Sequence, residues 1–353
     1  MPSYTSNFEE ATGSARIQPA RQAMSASAGI FSLVVGLVLI VAGLEYMSPV
    51  VLAHLSRTER RVDAELRAAA TLRPYTPDGR PTLLIGGNSL LLEGVNMDLL
   101  RAGLAPQYEV SRLGIEQTHY LDWYFGLRRL LEEGSRPKTI VLSLATDQLA
   151  SKFTLGESFA HRQMSTRDFP RVIHEAALDR TTASTYFFAH WSRWLADKGF
   201  IRQRIMILLI PNFRELGGRI ADHGPHVNDP AILRNMARLR LAELHNISRA
   251  YGVRIVLLVP PTQREDYSRD IQEIGDAVGV PVWVPSPPGE FPRQFYRDGF
   301  HLNDTGSEVF TARLAQQIRS MPALQANCNA CDSHTGTTPS RPNSAPLTSR
   351  SAP

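Results

Sequence analysis

The sequence lacks the patterns that point to nucleotide or nucleic-acid binding. Lys and Arg are scattered, and no basic stripe is interleaved with aromatic residues, so we expect no nucleic-acid partner. A phosphate-binding loop is also missing, because neither a third glycine nor the P-loop lysine accompanies Gly86 and Gly87. No internal repeat of fixed period is evident. We expect the chain to use no cofactor.

Cysteine is scarce as well. The two cysteines, Cys328 and Cys331, lie in a tail (residues 323–353) rich in Ser, Thr, Pro and Asn, which is predicted to be disordered because it cannot bury a core. Thioredoxin-like chemistry would require the pair at a strand–helix junction, and two cysteines cannot supply the four ligands of structural zinc, even with His334 nearby. A small local disulfide or two simple thiols are favoured.

The histidines do not have the spacing of metal ligands, except for His223 and His226 in one loop. With Asp222 and Asp229 this pair has suitable donor atoms, but the loop lacks the calcium-loop pattern. A solvated loop is favoured, and no metal site is predicted.

What the chain does contain is the composition of an ordinary globular protein. Hydrophobic residues make up 43% of it and charged residues 20%, which excludes wholesale disorder. A chain of 353 residues suffices for one sizeable α/β domain with appendages, and this length also permits two domains.

One segment, residues 26–47, is far more apolar than the rest. Its only charge is Glu45, and its uncharged part from Gly29 to Leu44 approaches the length of about 20 residues that spans a bilayer. We predict an uncleaved transmembrane anchor. A cleaved secretory signal and a buried helix are the alternatives, but glutamates occur in the preceding tail (residues 1–25) and no clean small-x-small cleavage site follows.

The charges around this segment give a weak signal for its orientation. A bare positive-inside count favours a cytoplasmic C-terminal domain, because more arginines follow the segment than precede it. Glu59, Asp63 and Glu65 interleave with those arginines and weaken the count. We favour an exported domain, in agreement with the resemblance given below.

The remaining chain divides into a stalk and a folded domain. Residues 48–81 predict a juxtamembrane helical stalk followed by a turn-rich linker. Residues 82–322 form the domain, and residues 147–229 within it are too long for a crossover loop, so we predict a mostly helical insertion or cap. There, Ile205 to Ile210 is also compatible with a strand or a membrane-touching surface, and the aromatic cluster from Tyr186 to Trp194 favours helix core over a sugar platform.

Strand and helix patterns alternate through the domain, which predicts an α/β fold with a doubly wound parallel sheet. Short apolar runs predict five strands, at residues 82–86, 108–113, 139–144, 254–259 and 280–284. Helical spacing predicts helices at residues 97–102, 118–133, 231–251, 264–278 and 305–319.

A serine follows the first predicted strand, in Gly87-Asn88-Ser89. The carboxyl ends of parallel strands are where open α/β sheets build their sites. If a helix begins there, its N-terminal dipole and free N–H groups would also stabilise an oxyanion. A structural turn is the alternative for this tripeptide alone, since its residues favour turns.

A second motif lies near the end of the domain. Asp298 and His301 are three residues apart, which lets the carboxylate orient the imidazole and leaves the second ring nitrogen to face a serine. Asp304 or Thr305 would cap the helix that follows. A polar loop before a capped helix is the alternative.

Together, GGNSLLLEGV and RDGFHLNDTGSEVFTARLA resemble the first and last sequence blocks of the SGNH (GDSL-like) hydrolase superfamily. The resemblance covers roughly Thr82 to Arg319, without the insertion. It implies a flavodoxin-like three-layer fold, with Ser89 as nucleophile, His301 as base and Asp298 as its orienting partner. Asn88 departs from the usual Asp of the first block. This departure and the anchor are similar to cell-envelope relatives, namely alginate O-acetylation proteins and the D-alanyl-lipoteichoic acid transfer protein.

The resemblance also implies an oxyanion hole built from Ser89, Gly114 and a third donor. Gly114 matches the glycine of the second block in position. The third block is Gly-x-Asn-Asp, and here Thr146 stands in the place of its Asn. A threonine hydroxyl donates one hydrogen bond but is shorter than an amide.

The function implied is that of a serine esterase or O-acyltransferase. It would act on ester-linked acyl groups, acetyl above all, of a cell-envelope or exported polysaccharide. The chain would be anchored in the bacterial inner membrane, with a periplasmic domain and a multispanning acyl-exporting partner. A catalytically weak glycan-binding or scaffolding subunit is the second hypothesis, favoured by Thr146, and a soluble cytoplasmic esterase is the third.

Overall fold

A computed structural model describes residues 19–210, 229–263, 267–287 and 289–320 of the chain. Both cysteines, the C-terminal tail and the loop histidines His223 and His226 lie outside these residues. The interpretations that rest on them therefore stay predictions.

The sheet has five parallel strands, as the alternating pattern predicts. Their spatial order is β2-β1-β3-β4-β5, the order of flavodoxin-like sheets. Every residue of β1 and β3 is buried, which explains their continuous apolar sequences. The strands are β1 (Thr82–Gly87), β2 (Glu109–Gly114), β3 (Thr139–Ser143), β4 (Arg254–Leu258) and β5 (Val282–Trp283).

Helices fill most of the remaining described chain, beginning with one long apolar helix. This first helix, α1, runs without a break from Pro19 to Leu55 and so extends past both ends of the predicted anchor. The others are α2 (Arg57–Ala70), α3 (Ser89–Gly94), α4 (Met97–Leu104), α5 (Tyr120–Glu132), α6 (Thr146–Ala150), α7 (Glu157–Arg162), α8 (Phe169–Glu175), α9 (Arg180–Trp191), α10 (Arg193–Leu209), α11 (Pro230–Tyr251), α12 (Ser268–Val278) and α13 (Asp304–Ser320).

The chain forms two compact units. The sheet unit comprises Arg73–Glu116, Pro137–Thr146 and the described part of Ala237–Pro353. Its apolar core lies among β1, α4 and α13, with Leu83, Leu100 and Phe310 almost fully buried. This packing fixes the first and last parts of the unit, which carry the two sequence motifs.

The helical unit comprises Gln117–Arg136 and the described parts of Met1–Leu72 and Asp147–Met236. Within it α1 packs against α10, and α7 packs against α9 and α10. The described part of the predicted insertion is helical, and Ile205 to Leu209 belongs to α10, so a strand there is excluded.

A buried ion network ties the helical unit together. The Arg162 guanidinium of α7 pairs with Glu59 of α2, and lies 3.7 Å from an Asp197 carboxylate oxygen of α10. Asp197 also accepts a 3.0 Å hydrogen bond from the Ser48 hydroxyl of α1. Burial raises the pKa of Asp197, with the Arg162 charge acting in the opposite direction. Four helices thus meet at one cluster.

Candidate active site

Ser89 is the first residue of α3, directly beyond the carboxyl end of β1. Asn88 is the N-cap, and its side-chain oxygen accepts a 3.1 Å hydrogen bond from the Leu90 N–H. Since Asp and Asn cap helices equally well, Asn88 retains the capping acceptor that an Asp would supply. A helix therefore begins at Ser89, which is the condition for its N-terminal dipole and N–H groups to stabilise an oxyanion.

Gly87 brings α3 and β3 close together at this point. A Cβ there would lie 2.9 Å from the Leu91 Cβ and 2.9 Å from the Ser143 carbonyl oxygen. Any larger residue would push α3 away from the strand, so this glycine sets the height of Ser89 above the sheet edge.

His301 is held by a short closed loop. An antiparallel bridge joins Tyr296 to Leu302, and the Arg297 N–H donates a 2.9 Å hydrogen bond to the His301 carbonyl. The turn inside this loop requires Gly299, whose φ is +81°, a conformation that glycine adopts without steric cost.

The three predicted residues come together as a hydrogen-bonded series. The Asp298 carboxylate lies 2.8 Å from His301 Nδ1, and His301 Nε2 lies 3.0 Å from Ser89 Oγ. With a proton on Nδ1 donated to Asp298, Nε2 remains an acceptor for the serine hydroxyl. This is the geometry in which an imidazole takes the proton of an attacking serine.

Asp298 is held in its ionised form. Partial burial raises its pKa, but hydrogen bonds from the His301 and Phe300 N–H groups and from the His301 ring outweigh this and lower it to about 2. The backbone bonds measure 2.7 Å from His301 and 3.0 Å from Phe300. At neutral pH the ionised carboxylate therefore accepts the hydrogen bond of the ring and orients it.

The predicted oxyanion donors lie at the same edge of the sheet. The β1 residue Gly87 is in register with Gly114 of β2 and with Ser143 of β3. Ser89 and Thr146 follow Gly87 and Ser143 at the start of α3 and α6, and Thr146 is 7% exposed. The Ser89 N–H, at the first position of α3, has no acceptor among the described residues.

The cap of the last helix differs from the sequence prediction. α13 begins at Asp304, and Asn303 caps it, because its side-chain oxygen accepts a 3.0 Å hydrogen bond from the Gly306 N–H. The prediction that Asp304 or Thr305 caps this helix was wrong, because the cap lies one residue before Asp304. Asn fits the position because its short side chain reaches the free N–H groups of the first turn.

Two further residues position the histidine loop and were not identified from sequence. Arg297 forms an ion pair with Glu93 at the end of α3. Gln263, after β4, donates its N–H to the Gly299 carbonyl at 3.1 Å. An Asp-Gly turn signal marks Gly299 in the sequence, but nothing in the sequence links Arg297 to Glu93.

Among the described residues, no group of three or more His, Cys, Asp or Glu side chains is arranged to hold a metal ion. The site's polar groups are an imidazole, a carboxylate, a hydroxyl and backbone N–H groups, which suit acyl transfer to and from an oxygen nucleophile.

Comparison with known proteins gives matches among solved structures, where 18 chains match. No family model matches the chain, and no curated protein matches it. Among solved structures, that of TesA matches 67% of this chain and 98% of its own, with 15% sequence identity and a TM-score of 0.33. A likeness at this level assigns no function.

Proposed function

We propose that the chain is a membrane-anchored serine esterase or O-acyltransferase of the SGNH type. The observation that carries the proposal is the series Asp298–His301–Ser89, with its distances of 2.8 Å and 3.0 Å. A serine hydroxyl is a weak nucleophile alone, and this arrangement supplies the base and the group that orients the base.

The reaction would proceed in two halves. Ser89 Oγ attacks the carbonyl carbon of an acyl ester while His301 Nε2 takes the hydroxyl proton. The tetrahedral intermediate collapses, the C–O bond to the leaving group breaks, and His301 returns that proton to the departing oxygen. A second hydroxyl, from water or from a glycan, then gives its proton to His301 and attacks the acyl-Ser89 carbonyl. The ester to Ser89 breaks, and the serine recovers its proton.

The negative oxygen of both intermediates needs hydrogen-bond donors. We propose the Ser89 N–H as one donor, because Ser89 begins α3 and a helix N-terminus favours negative charge. Gly114 ends β2, and Thr146 begins α6 three residues after β3 ends. Both are proposed as the remaining donors.

The choice of substrate follows from the resemblance to envelope O-acetylation proteins. We propose acetyl as the acyl group, a polysaccharide hydroxyl as the acceptor, and a multispanning acyl-exporting protein as the partner. Transfer rather than hydrolysis would depend on keeping water from the acyl-enzyme.

Two features of α1 support a retained anchor. Within Ala28–Leu55, the most apolar window of 18 residues has a mean hydropathy of 2.3, and none of that window is buried. The helix then continues into the helical unit, where Ser48 and Leu52 are 1% and 3% exposed. Cleavage after the apolar part would cut α1 within one continuous helix, just before the residues that pack in the helical unit. We propose the inner membrane as its location, with the sheet unit on the periplasmic side.

The full-length chain in detergent tests the proposal with p-nitrophenyl acetate. Wild type should release p-nitrophenol, and Ser89→Ala should fall to the buffer rate. Ser184→Ala is the matched control, because Ser184 is an exposed serine whose hydroxyl bonds only to its own helix at the Arg180 carbonyl. Full activity in Ser89→Ala would refute the assignment of the nucleophile.

A second candidate function, a catalytically weak scaffolding subunit, is favoured by Thr146. Loss of one oxyanion donor costs about two to three orders of magnitude in rate. Thr146→Asn should raise the rate if the weakness comes from this position alone. If Thr146→Asn is still inert and the chain binds acetylated glycan, the scaffolding function is favoured.

A further inference from the structure

Three aromatic side chains form an exposed surface at the end of α9. Phe187, Phe188 and Trp191 are 47%, 59% and 66% exposed, and their spacing of three and four residues puts them on one helix face. We call them the aromatic surface. The sequence interpretation of this cluster as helix core holds for Tyr186, which is 5% exposed, and is wrong for these three.

The aromatic surface lies beside the end of the apolar stretch of α1. Trp191 is followed by Ser192, whose hydroxyl donates to the carboxylate of Glu45. The same carboxylate accepts the backbone N–H of Arg193 at 2.8 Å and that of Trp194 at 3.3 Å. Glu45 is the first charge after the uncharged run of α1. The contact therefore fixes the end of α9 at the level where the apolar run stops.

The next helix leads away from that level. One turn after Glu45, Ser48 of α1 bonds to Asp197 of α10, so both helices proceed in the same direction from this contact. At 1.5 Å per residue, Leu208 lies about 20 Å farther along α10. Leu208 and Leu209 are 71% and 72% exposed. The helical unit thus has two groups of exposed apolar side chains. The aromatic surface lies beside Glu45, where the apolar run of α1 stops, and Leu208 and Leu209 lie at the C-terminal end of α10.

The chemistry of the first group suits a lipid headgroup region. Aromatic side chains concentrate where the hydrocarbon core of a bilayer meets water. Tyr46, adjacent to Glu45 on α1, is 76% exposed and belongs to the same level. Phe188 also borders a groove of about 510 Å³ that is lined by Arg180 and Lys198. The Arg180 cation matches the phosphates of anionic lipids, whereas Lys198 pairs with Glu157 at 3.5 Å.

We propose that the aromatic surface rests in the headgroup region of the membrane that α1 spans, so that the helical unit holds the membrane at a second place. This inference depends on the membrane-anchoring part of the proposed function. Glu45 would then act as the fixed link between the anchor and this surface, rather than as a solvated charge at a helix end.

Tryptophan fluorescence offers a direct test. Of the four tryptophans, Trp191 is the most exposed, while Trp123 and Trp283 are 1% and 4% exposed. The full-length chain is reconstituted into phosphatidylethanolamine–phosphatidylglycerol vesicles that contain phosphatidylcholine brominated either near the headgroup or near the bilayer centre. Bromine quenches only indoles that reach its depth.

We expect wild-type emission to be quenched more by the shallow bromolipid than by the deep one, and Trp191→Phe to lose most of that quenching. The matched control is Trp191→Phe with Leu208→Trp, which moves one indole to the other end of α10 and should restore emission without quenching. Equal quenching of wild type and Trp191→Phe would overturn the inference. Quenching of the indole introduced at position 208 as strong as that of Trp191 would overturn it as well.

Carbonate extraction of the same vesicles separates the two proposals. A chain that resists extraction while Trp191 is unquenched retains the anchor and loses the aromatic contact. A chain that carbonate releases refutes the anchor, and the inference about the aromatic surface is overturned with it.

Discussion

The two units each gather charged side chains, but in opposite surroundings. In the sheet unit, the side chains of Asp298 and His301 are 45% and 20% exposed, and one ring nitrogen faces a hydroxyl. In the helical unit, Glu59 and Asp197 are 3% and 0% exposed and surround the guanidinium of Arg162. The first cluster is open to solvent, and the second is closed.

The difference shows which cluster is able to handle protons. Imidazole accepts and releases a proton near neutral pH, whereas a guanidinium keeps its proton. Burial of Glu59 and Asp197 around a permanent cation is a structural arrangement, since removal of Arg162 leaves the buried Glu59 carboxylate without its ion-pair partner. Charged side chains that come together from distant positions in the sequence thus indicate catalysis only where one of them titrates near neutral pH and is accessible to solvent.

The largest expected effect is the loss of the base. His301→Ala should lower kcat for p-nitrophenyl acetate by about 10³-fold or more, because it removes the imidazole that hydrogen-bonds to Ser89 Oγ. His174→Ala, at an exposed histidine of α8, is the control and should retain the wild-type rate. Steady-state kinetics measures both. A kcat of His301→Ala within a few-fold of the wild-type value would contradict the assignment of proton transfer to the cluster that contains His301.

Removal of the cation from the closed cluster should affect stability instead. Arg162→Met should lower the free energy of unfolding by about 3–5 kcal/mol, as expected when a buried ion pair loses one partner. Arg167→Met, which breaks the Arg167–Glu132 pair at a guanidinium that is 62% exposed, should cost less than about 1 kcal/mol. Thermal unfolding of the full-length chain in detergent compares them. Equal unfolding temperatures would contradict a structural role for the network.

A substitution in the turn before His301 should lower kcat by more than its loss of stability explains. Gly299→Ala places a Cβ at φ +81° and 3.2 Å from the Gln263 side-chain oxygen, and strain of about 1–2 kcal/mol is typical of this conformation. We expect kcat to fall by about tenfold as the ring leaves Ser89. Gly289→Ala carries similar strain at φ +74° with no neighbour within 4 Å, and should keep its kcat. Parallel losses of kcat in both variants would contradict the positioning role.

The smallest expected effect is the pH dependence of stability from Asp298. Its pKa of about 2 in the folded chain lies below the value of about 3.9 of an unperturbed Asp. The ionised carboxylate therefore stabilises the fold above about pH 4, and this contribution is lost as the pH falls towards 2. Asp298→Asn should unfold below the wild-type temperature at pH 6, with the gap closing by pH 2. A constant gap would show that the charge is not responsible.

Much of the sheet unit could be predicted because its signals are local. Buried parallel strands produce continuous apolar runs, and all five strands overlap the predicted ranges. The two motifs were also visible, since a serine after a strand and an Asp–His pair three residues apart are short patterns. The sequence does not predict a helix at Ser89 firmly, because α3 spans six residues, which are too few to show helical periodicity.

The helical unit was less predictable because its contacts are distant in sequence. In the sequence, Glu59 is one of several alternating charges in the 48–81 segment, but in the structure it is buried against Arg162, 103 residues away. Likewise, the pattern around Trp191 does not reveal that Glu45 binds the next residues of the chain. Helical periodicity shows which residues share a face, but not what that face contacts.

The most direct test of the central claim is covalent labelling of the full-length chain with a fluorophosphonate, followed by mass spectrometry of its peptides. The account predicts one phosphonylated serine, Ser89, with labelling strongly reduced in His301→Ala and unchanged in His174→Ala. Label on another serine, or labelling of Ser89 that does not depend on His301, would contradict the assignment of nucleophile and base.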